Sequence, residues 1–276
     1  MLKYFIKISR PRFWFYLAGP FLVGAAALES LEVFLDPWFY ILFIYFLIPA
    51  NIYLYGINDY FDFDTDKYNI KKEDKESRLE DKDIRKKLKV FINLFLIISI
   101  VLIILLPQNL AKLLLVLFLF LATFYSAPPL RFKRYPLIDS LSNVLYIFPG
   151  LIIFALYSHN LALWSVIIAS WSWAAAMHLF SAILDIMPDK KAGLKTTAVL
   201  FGEKKSMWIC FFLWLIFSLV IVLNGWLLPL SYLFFIYPLI PIYILIKKIK
   251  AEKVYWYFPY ITGILGFFSF WYLIIF

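Results

Sequence analysis

Leu88-Lys89-Val90-Phe91-Ile92-Asn93-Leu94-Phe95-Leu96-Ile97-Ile98-Ser99-Ile100-Val101-Leu102-Ile103-Ile104-Leu105-Leu106 is an almost unbroken apolar run whose only charge, Lys89, sits at its start. A helix needs about 20 such residues to cross a hydrocarbon core of about 30 Å, and this run has that length. Strands of a membrane β-barrel would read instead as alternating segments of about ten residues. Comparable runs on both sides give expected spans at 13–30, 38–60, 88–106, 110–127, 138–157, 161–185, 204–224, 228–246 and 254–276. The composition agrees, with 64% hydrophobic, 21% aromatic and 16% charged residues, against roughly 25% charged in soluble domains. The reading is an all-α, polytopic membrane protein of nine transmembrane helices, one domain over residues 1–276.

With the N-terminus placed in the cytoplasm, every one of the 27 Lys and Arg residues except Lys112 falls in or beside a cytoplasmic loop, while Glu29, Glu32 and Asp36 occupy the first outer loop. The positive-inside rule selects this topology and leaves the C-terminus on the opposite side. The net charge of +9 is thus a topology signal. A nucleic-acid partner is set aside, because the cations are divided among loops next to lipid rather than gathered on one soluble face. Lys3, Lys7, Arg10 and Arg12 precede a long segment without a small-residue cleavage site, so the first span is expected to stay in the bilayer. Cys210, the single cysteine, excludes an internal disulfide framework and any multi-cysteine metal site. A mixed-charge insert at about 63–88 interrupts the spans on the cytoplasmic side, and from Glu73 to Lys89 it alternates in sign like a solvated cap.

The end of the second span reads Asn58-Asp59-Tyr60-Phe61-Asp62-Phe63-Asp64-Thr65-Asp66. Asn58, Asp62 and Asp66 recur at helical spacing and share a face, with Asp59 and Asp64 directed elsewhere. Their oxygens suit Mg2+, which prefers carboxylates, retains waters and is commonly completed by substrate phosphates. The end of the sixth span reads Asp185-Ile186-Met187-Pro188-Asp189-Lys190-Lys191, again with carboxylates four residues apart. Pro188 cannot continue a helix interior, so Asp189 is expected to begin a new turn. Either motif alone reads equally as a solvated helix end. Both at one membrane surface, where carboxylates are costly and mark function, read as a single catalytic site for two metal ions and one diphosphate.

Such an anion needs cations as well. The loop Tyr125-Ser126-Ala127-Pro128-Pro129-Leu130-Arg131-Phe132-Lys133-Arg134 offers Arg131 as a planar fork and Lys133 as a point charge. Lys71 and Lys72 in the insert, and Lys190 and Lys195 after the second motif, are further candidates for diphosphate contact. Each also has the plainer explanation that inner loops attract cations. His178 lies two turns before Asp185 and could receive a proton, or be a hydrogen-bonded core histidine. Asp139 and Asn143 share one face and could orient loop residues, or cap and pack their helix.

These motifs resemble the UbiA superfamily of membrane prenyltransferases, whose patterns N-x-x-x-D-x-x-x-D and D-x-x-x-D both occur here, together with the Tyr-Ser-x-Pro-Pro-x-Arg-x-Lys loop. Within it, the strings from Ser9 to Pro20 and from Met177 to Asp185 are similar to the carotenoid-modifying lycopene elongases. The resemblance implies two helical bundles around a central cavity, Asp motifs at its cytoplasmic mouth, and a lateral opening for acceptors dissolved in the bilayer. It implies Mg2+-dependent transfer of a prenyl group from an allylic diphosphate to a lipophilic acceptor, lycopene or a related carotenoid. Asp62, Asp66, Asp185 and Asp189 would be the catalytic metal ligands with Asn58, and His178 or Tyr125 would serve the acceptor or its proton. An alkene attacking the allylic cation would leave a tertiary cation that loses a proton or captures water. Rival readings are an aromatic, quinone-type or ether-lipid prenyltransferase, and a transporter using its carboxylates as a relay, whose acidic residues should lie near the bilayer midplane.

Overall fold

A computed structural model describes residues 6–62, 82–225 and 227–276. Asp66, Lys71 and Lys72, with most of the charged insert, lie outside the described residues. The chain forms two compact helical units, residues 1–132 with 148–160 and residues 133–147 with 161–276. Among the described residues seven segments are long and apolar enough to cross a bilayer: Pro37–Phe61, Ile84–Leu105, Ile138–Ser158, Trp164–Ile183, Thr197–Asn224, Leu230–Lys247 and Ala251–Ile275. The other two expected spans are shorter apolar helices, Phe15–Ala26 and Asn109–Phe124, of 12 and 16 residues. At 1.5 Å per residue they reach only about 18 and 24 Å.

The first unit contains α1 (Phe15–Ala26), α2 (Pro37–Leu47), α3 (Pro49–Phe61), α4 (Lys82–Leu105) and α5 (Asn109–Phe124). Asp36 caps α2 by accepting from the Trp38 N–H at 2.8 Å, and Pro37 occupies the first turn, where no donor is needed. Proline at 49 ends that helix and starts α3. The Asn51 carboxamide then donates to the Phe46 and Leu47 carbonyls at 2.8 and 3.0 Å, satisfying groups that water cannot reach. Asn51→Leu should leave both carbonyls without this donor and cost about 1–3 kcal/mol. A lowered thermal unfolding midpoint in detergent would register it.

Hydroxyl pairs join these helices across long stretches of sequence, Tyr45 with Ser99 at 2.8 Å and Tyr53 with Thr123 at 2.7 Å. On α4 the residues Val90, Leu94, Ile97, Val101 and Ile104 are exposed at alternating spacings of three and four, a stripe suited to lipid. The expected fifth span is not one regular helix. It comprises α6 (Ile138–Leu141), a 3-10 segment (Ser142–Ile147) and α7 (Phe148–Ser158). Pro149 removes a backbone donor at the junction. Only α7 belongs to the first unit, where it packs on α1 and α5.

The second unit contains α6, α8 (Trp164–Ile183), α9 (Ile186–Lys191), α10 (Thr197–Asn224), α11 (Ile236–Lys247), α12 (Ala251–Tyr255) and α13 (Phe258–Ile275). Its core is aromatic: Trp214 lies 5.7 Å from Phe180, 5.9 Å from Tyr237 and 5.4 Å from Phe258 between ring centroids. These rings pack α8, α10, α11 and α13 against one another with offset geometry. The left-handed φ of 73° at Gly202 bends α10 after its first turns.

Candidate active site

The Asp62 N–H donates to the Asn58 carbonyl at 2.9 Å, so the helical spacing expected for the first motif persists to the end of α3. Ser126 secures both side chains. Its hydroxyl lies 3.0 Å from the Asn58 carboxamide oxygen and 3.1 Å from the Asp62 carboxylate. Arg131 completes the loop, donating through Nε to the Ser126 carbonyl at 3.0 Å and through Nη2 to the Phe61 carbonyl at 2.9 Å. The same guanidinium lies 3.9 Å from the Asp62 carboxylate. Arg131 holds this position with a φ of 50°, a conformation costly for a residue with a Cβ and often associated with functional sites.

Two further arginines reach the same helix end. Arg10 pairs with Asp59 at 3.0 Å and lies 4.6 Å from the centre of the Tyr55 ring. Arg85 donates to the Tyr60 carbonyl at 3.3 Å and covers the Tyr60 ring at 4.7 Å. A helix C-terminus carries partial negative charge and carbonyls without intrahelical donors. Guanidinium groups from three separate segments therefore stabilise the turn that carries Asn58 and Asp62. Asp59, only 2% exposed, faces Arg10.

In the second unit, Asp185 is the N-cap position of α9, directly after α8. The new turn begins there rather than at Asp189, because Pro188 falls in the first turn of α9, where a missing N–H is tolerated. The Asp189 N–H still bonds the Asp185 carbonyl at 2.8 Å, preserving the spacing of the pair. Gly193, with a φ of 70°, turns the chain after α9. Thr196 then caps α10 and donates its hydroxyl to the Asp189 carboxylate at 3.2 Å. Lys190 and Lys195 are exposed, whereas Lys133 is nearly buried. The Nδ1 atom of His178 lies 3.2 Å from the Ser140 hydroxyl. Tyr125 occupies the C-cap of α5, half-buried.

The side chains of both motifs offer hard oxygen donors, the type that Mg2+ accepts. Among the described residues no three Asp, Glu, His or Cys side chains close on a metal by themselves.

A model of the UbiA prenyltransferase family matches residues 14–274. The chain belongs to the UbiA prenyltransferase family. It is a prenyltransferase and an integral, multi-pass membrane protein. It is 39% identical to the lycopene elongase/hydratase of Haloferax volcanii over 96% of this chain and 86% of that protein. It is 41% identical to the lycopene elongase/hydratase of Halobacterium salinarum, covering 96% and 95% of the two chains. Its fold resembles a UbiA homolog from Archaeoglobus fulgidus, solved bound to GPP and Mg2+, with a TM-score of 0.70, 20% identity and 98% and 99% coverage.

Within this UbiA chain, local sequence spacing identifies Asn58 with Asp62 and Asp185 with Asp189, but not the hydroxyls that bind them. Ser126 had a signal in the Tyr-Ser-x-Pro-Pro string. Thr196 had one as a threonine before the apolar run from Ala198 to Phe201, a usual N-cap pattern.

Proposed function

We propose that this UbiA protein transfers a short prenyl group from an allylic diphosphate to the end of a lycopene-type polyene at the cytoplasmic surface of the membrane. The observation that carries this acceptor is the likeness to lycopene elongase/hydratases at 39% and 41% identity across nearly the whole chain. The donor reading is supported by the Archaeoglobus fulgidus homolog bound to GPP and Mg2+. Family membership replaces the transporter alternative.

Asn58, Asp62 and Asp66 would hold one metal ion, and Asp185 with Asp189 would hold the other. Bound Mg2+ would neutralise the diphosphate and stabilise the charge that develops as the allylic C–O bond breaks. Lys133, Lys190, Lys195, Lys71 and Lys72 add cationic contacts to that anion. Arg131 orders Asp62 through the α3 carboxyl end and leaves its positive charge beside the leaving group. His178 or Tyr125 serves the acceptor or its proton, while apolar side chains keep water from the allylic cation until the acceptor has reacted.

Membranes containing this chain, incubated with Mg2+, dimethylallyl diphosphate and lycopene, should yield polyenes lengthened by one or two prenyl units. Mass analysis also distinguishes proton loss from hydration, which adds a water to the product. Conversion of aromatic acids or glyceryl lipids, with lycopene untouched, would overturn this acceptor.

A further inference from the structure

Asp139 is fully buried, yet its carboxylate accepts three hydrogen bonds. The backbone N–H groups of Ser140 and Thr197 each donate at 2.8 Å, and the Thr197 hydroxyl donates to the same carboxylate. The Thr197 oxygen also accepts from the Leu137 N–H at 2.6 Å. Thus α6 and the first turn of α10 are docked through one ionisable group. A carboxyl group buried away from water is costly unless hydrogen-bond partners of this kind meet it. The positive N-terminal end of α10 is a suitable neighbour.

The position of that turn matters because of the residue before it. Thr196 binds the Asp189 carboxylate through its hydroxyl at 3.2 Å while accepting from the Val199 N–H at 3.3 Å. Helix capping requires only the second contact. Ser140, whose N–H binds Asp139, also places its hydroxyl 3.2 Å from His178.

We propose that Asp139 is a positioning residue for the second carboxylate pair: it fixes the start of α10, so that Thr196 holds Asp189 in the rotamer needed by a divalent cation. The inference rests on the proposed metal role of Asp185 and Asp189. Groups behind metal ligands commonly alter metal affinity by about 10–100-fold, which is the effect expected here.

The test is Mn2+ binding to purified full-length protein in detergent with inorganic pyrophosphate, followed by electron paramagnetic resonance alongside thermal unfolding without metal. Asp139→Asn and Thr196→Val should each weaken Mn2+ binding by about tenfold. Thr196→Ser should restore most of the affinity lost in Thr196→Val. Asp189→Asn is the reference for direct ligation and should weaken it at least as much. If Asp189→Asn binds like the unchanged protein, the metal reading falls and this inference with it. If Asp189→Asn is impaired while Asp139→Asn and Thr196→Val retain full affinity at a lowered unfolding midpoint, Asp139 is structural only and the inference alone falls. Should Asp139→Asn fail to fold, the Thr196→Val and Thr196→Ser pair decides the matter.

Discussion

Asp62→Ala and Asp185→Ala should each reduce prenyl transfer by at least about 10³-fold while the protein remains in the membrane fraction. Electrostatic contacts that act on developing charge are worth about 10²–10³ in rate when one donor is lost, and a missing metal ligand disturbs several such contacts together. Asp62→Asn is the sharper variant. It keeps the side-chain outline and an oxygen for the Ser126 hydroxyl, but removes the negative charge. Loss of turnover in Asp62→Asn, with diphosphate release measured directly, would assign the defect to charge rather than packing. Full turnover in both alanine variants would overturn the metal assignment.

Gly150→Val should prevent α1 and α7 from packing, with a cost of about 3 kcal/mol or more. A Cβ at Gly150 would lie 2.6 Å from the Pro20 carbonyl oxygen, and one at Gly24 would lie 2.4 Å from the Gly150 carbonyl oxygen. The obstructing atoms are backbone, so the helices would have to separate. Small residues permit this kind of close approach between membrane helices. Gly19→Ala, in the same α1, is the control: nothing lies within 4 Å of the added atom. It should match the unchanged protein or exceed its stability, since alanine favours helix over glycine by about 1 kcal/mol. Unfolding curves in detergent give both results, and a Gly150→Val protein of unchanged midpoint would refute the close-packing argument.

Legibility differed between helices and contacts. The run from Leu88 to Leu106 announced a helix through hydropathy alone, and α4 places its exposed stripe within it. The expected span 138–157 matches an apolar segment long enough to cross, Ile138–Ser158, but its apolar composition is continuous while its helical backbone is not. Asn143 there turns its amide onto the Asp139 carbonyl at 2.7 Å, while a 3-10 segment replaces the helix up to Ile147. Hydropathy measures the cost of transfer to lipid and does not register such a change in backbone pitch. Likewise, sequence left the aromatic residues undivided between packing and lipid contact, whereas Trp214, Phe180, Tyr237 and Phe258 form one interior cluster.

The candidate site divides in the same way. Asn58 with Asp62 and Asp185 with Asp189 follow from local spacing, because residues four apart lie on one helix face whatever surrounds them. Loop charge and motif spelling likewise need no folded neighbour, and through them the sequence by itself determined an all-helical membrane protein of the UbiA type. Only the tertiary structure decided that Arg10 pairs with Asp59, that Ser126 binds Asn58 and Asp62, that Arg131 is fixed on the Phe61 carbonyl, and that Asp139 docks Thr197. Those partners stand far apart along the chain, Ser126 from Asn58 by 68 positions and Thr197 from Asp139 by 58. A hydrogen bond depends on distance and direction in space, and periodicity specifies neither across such separations.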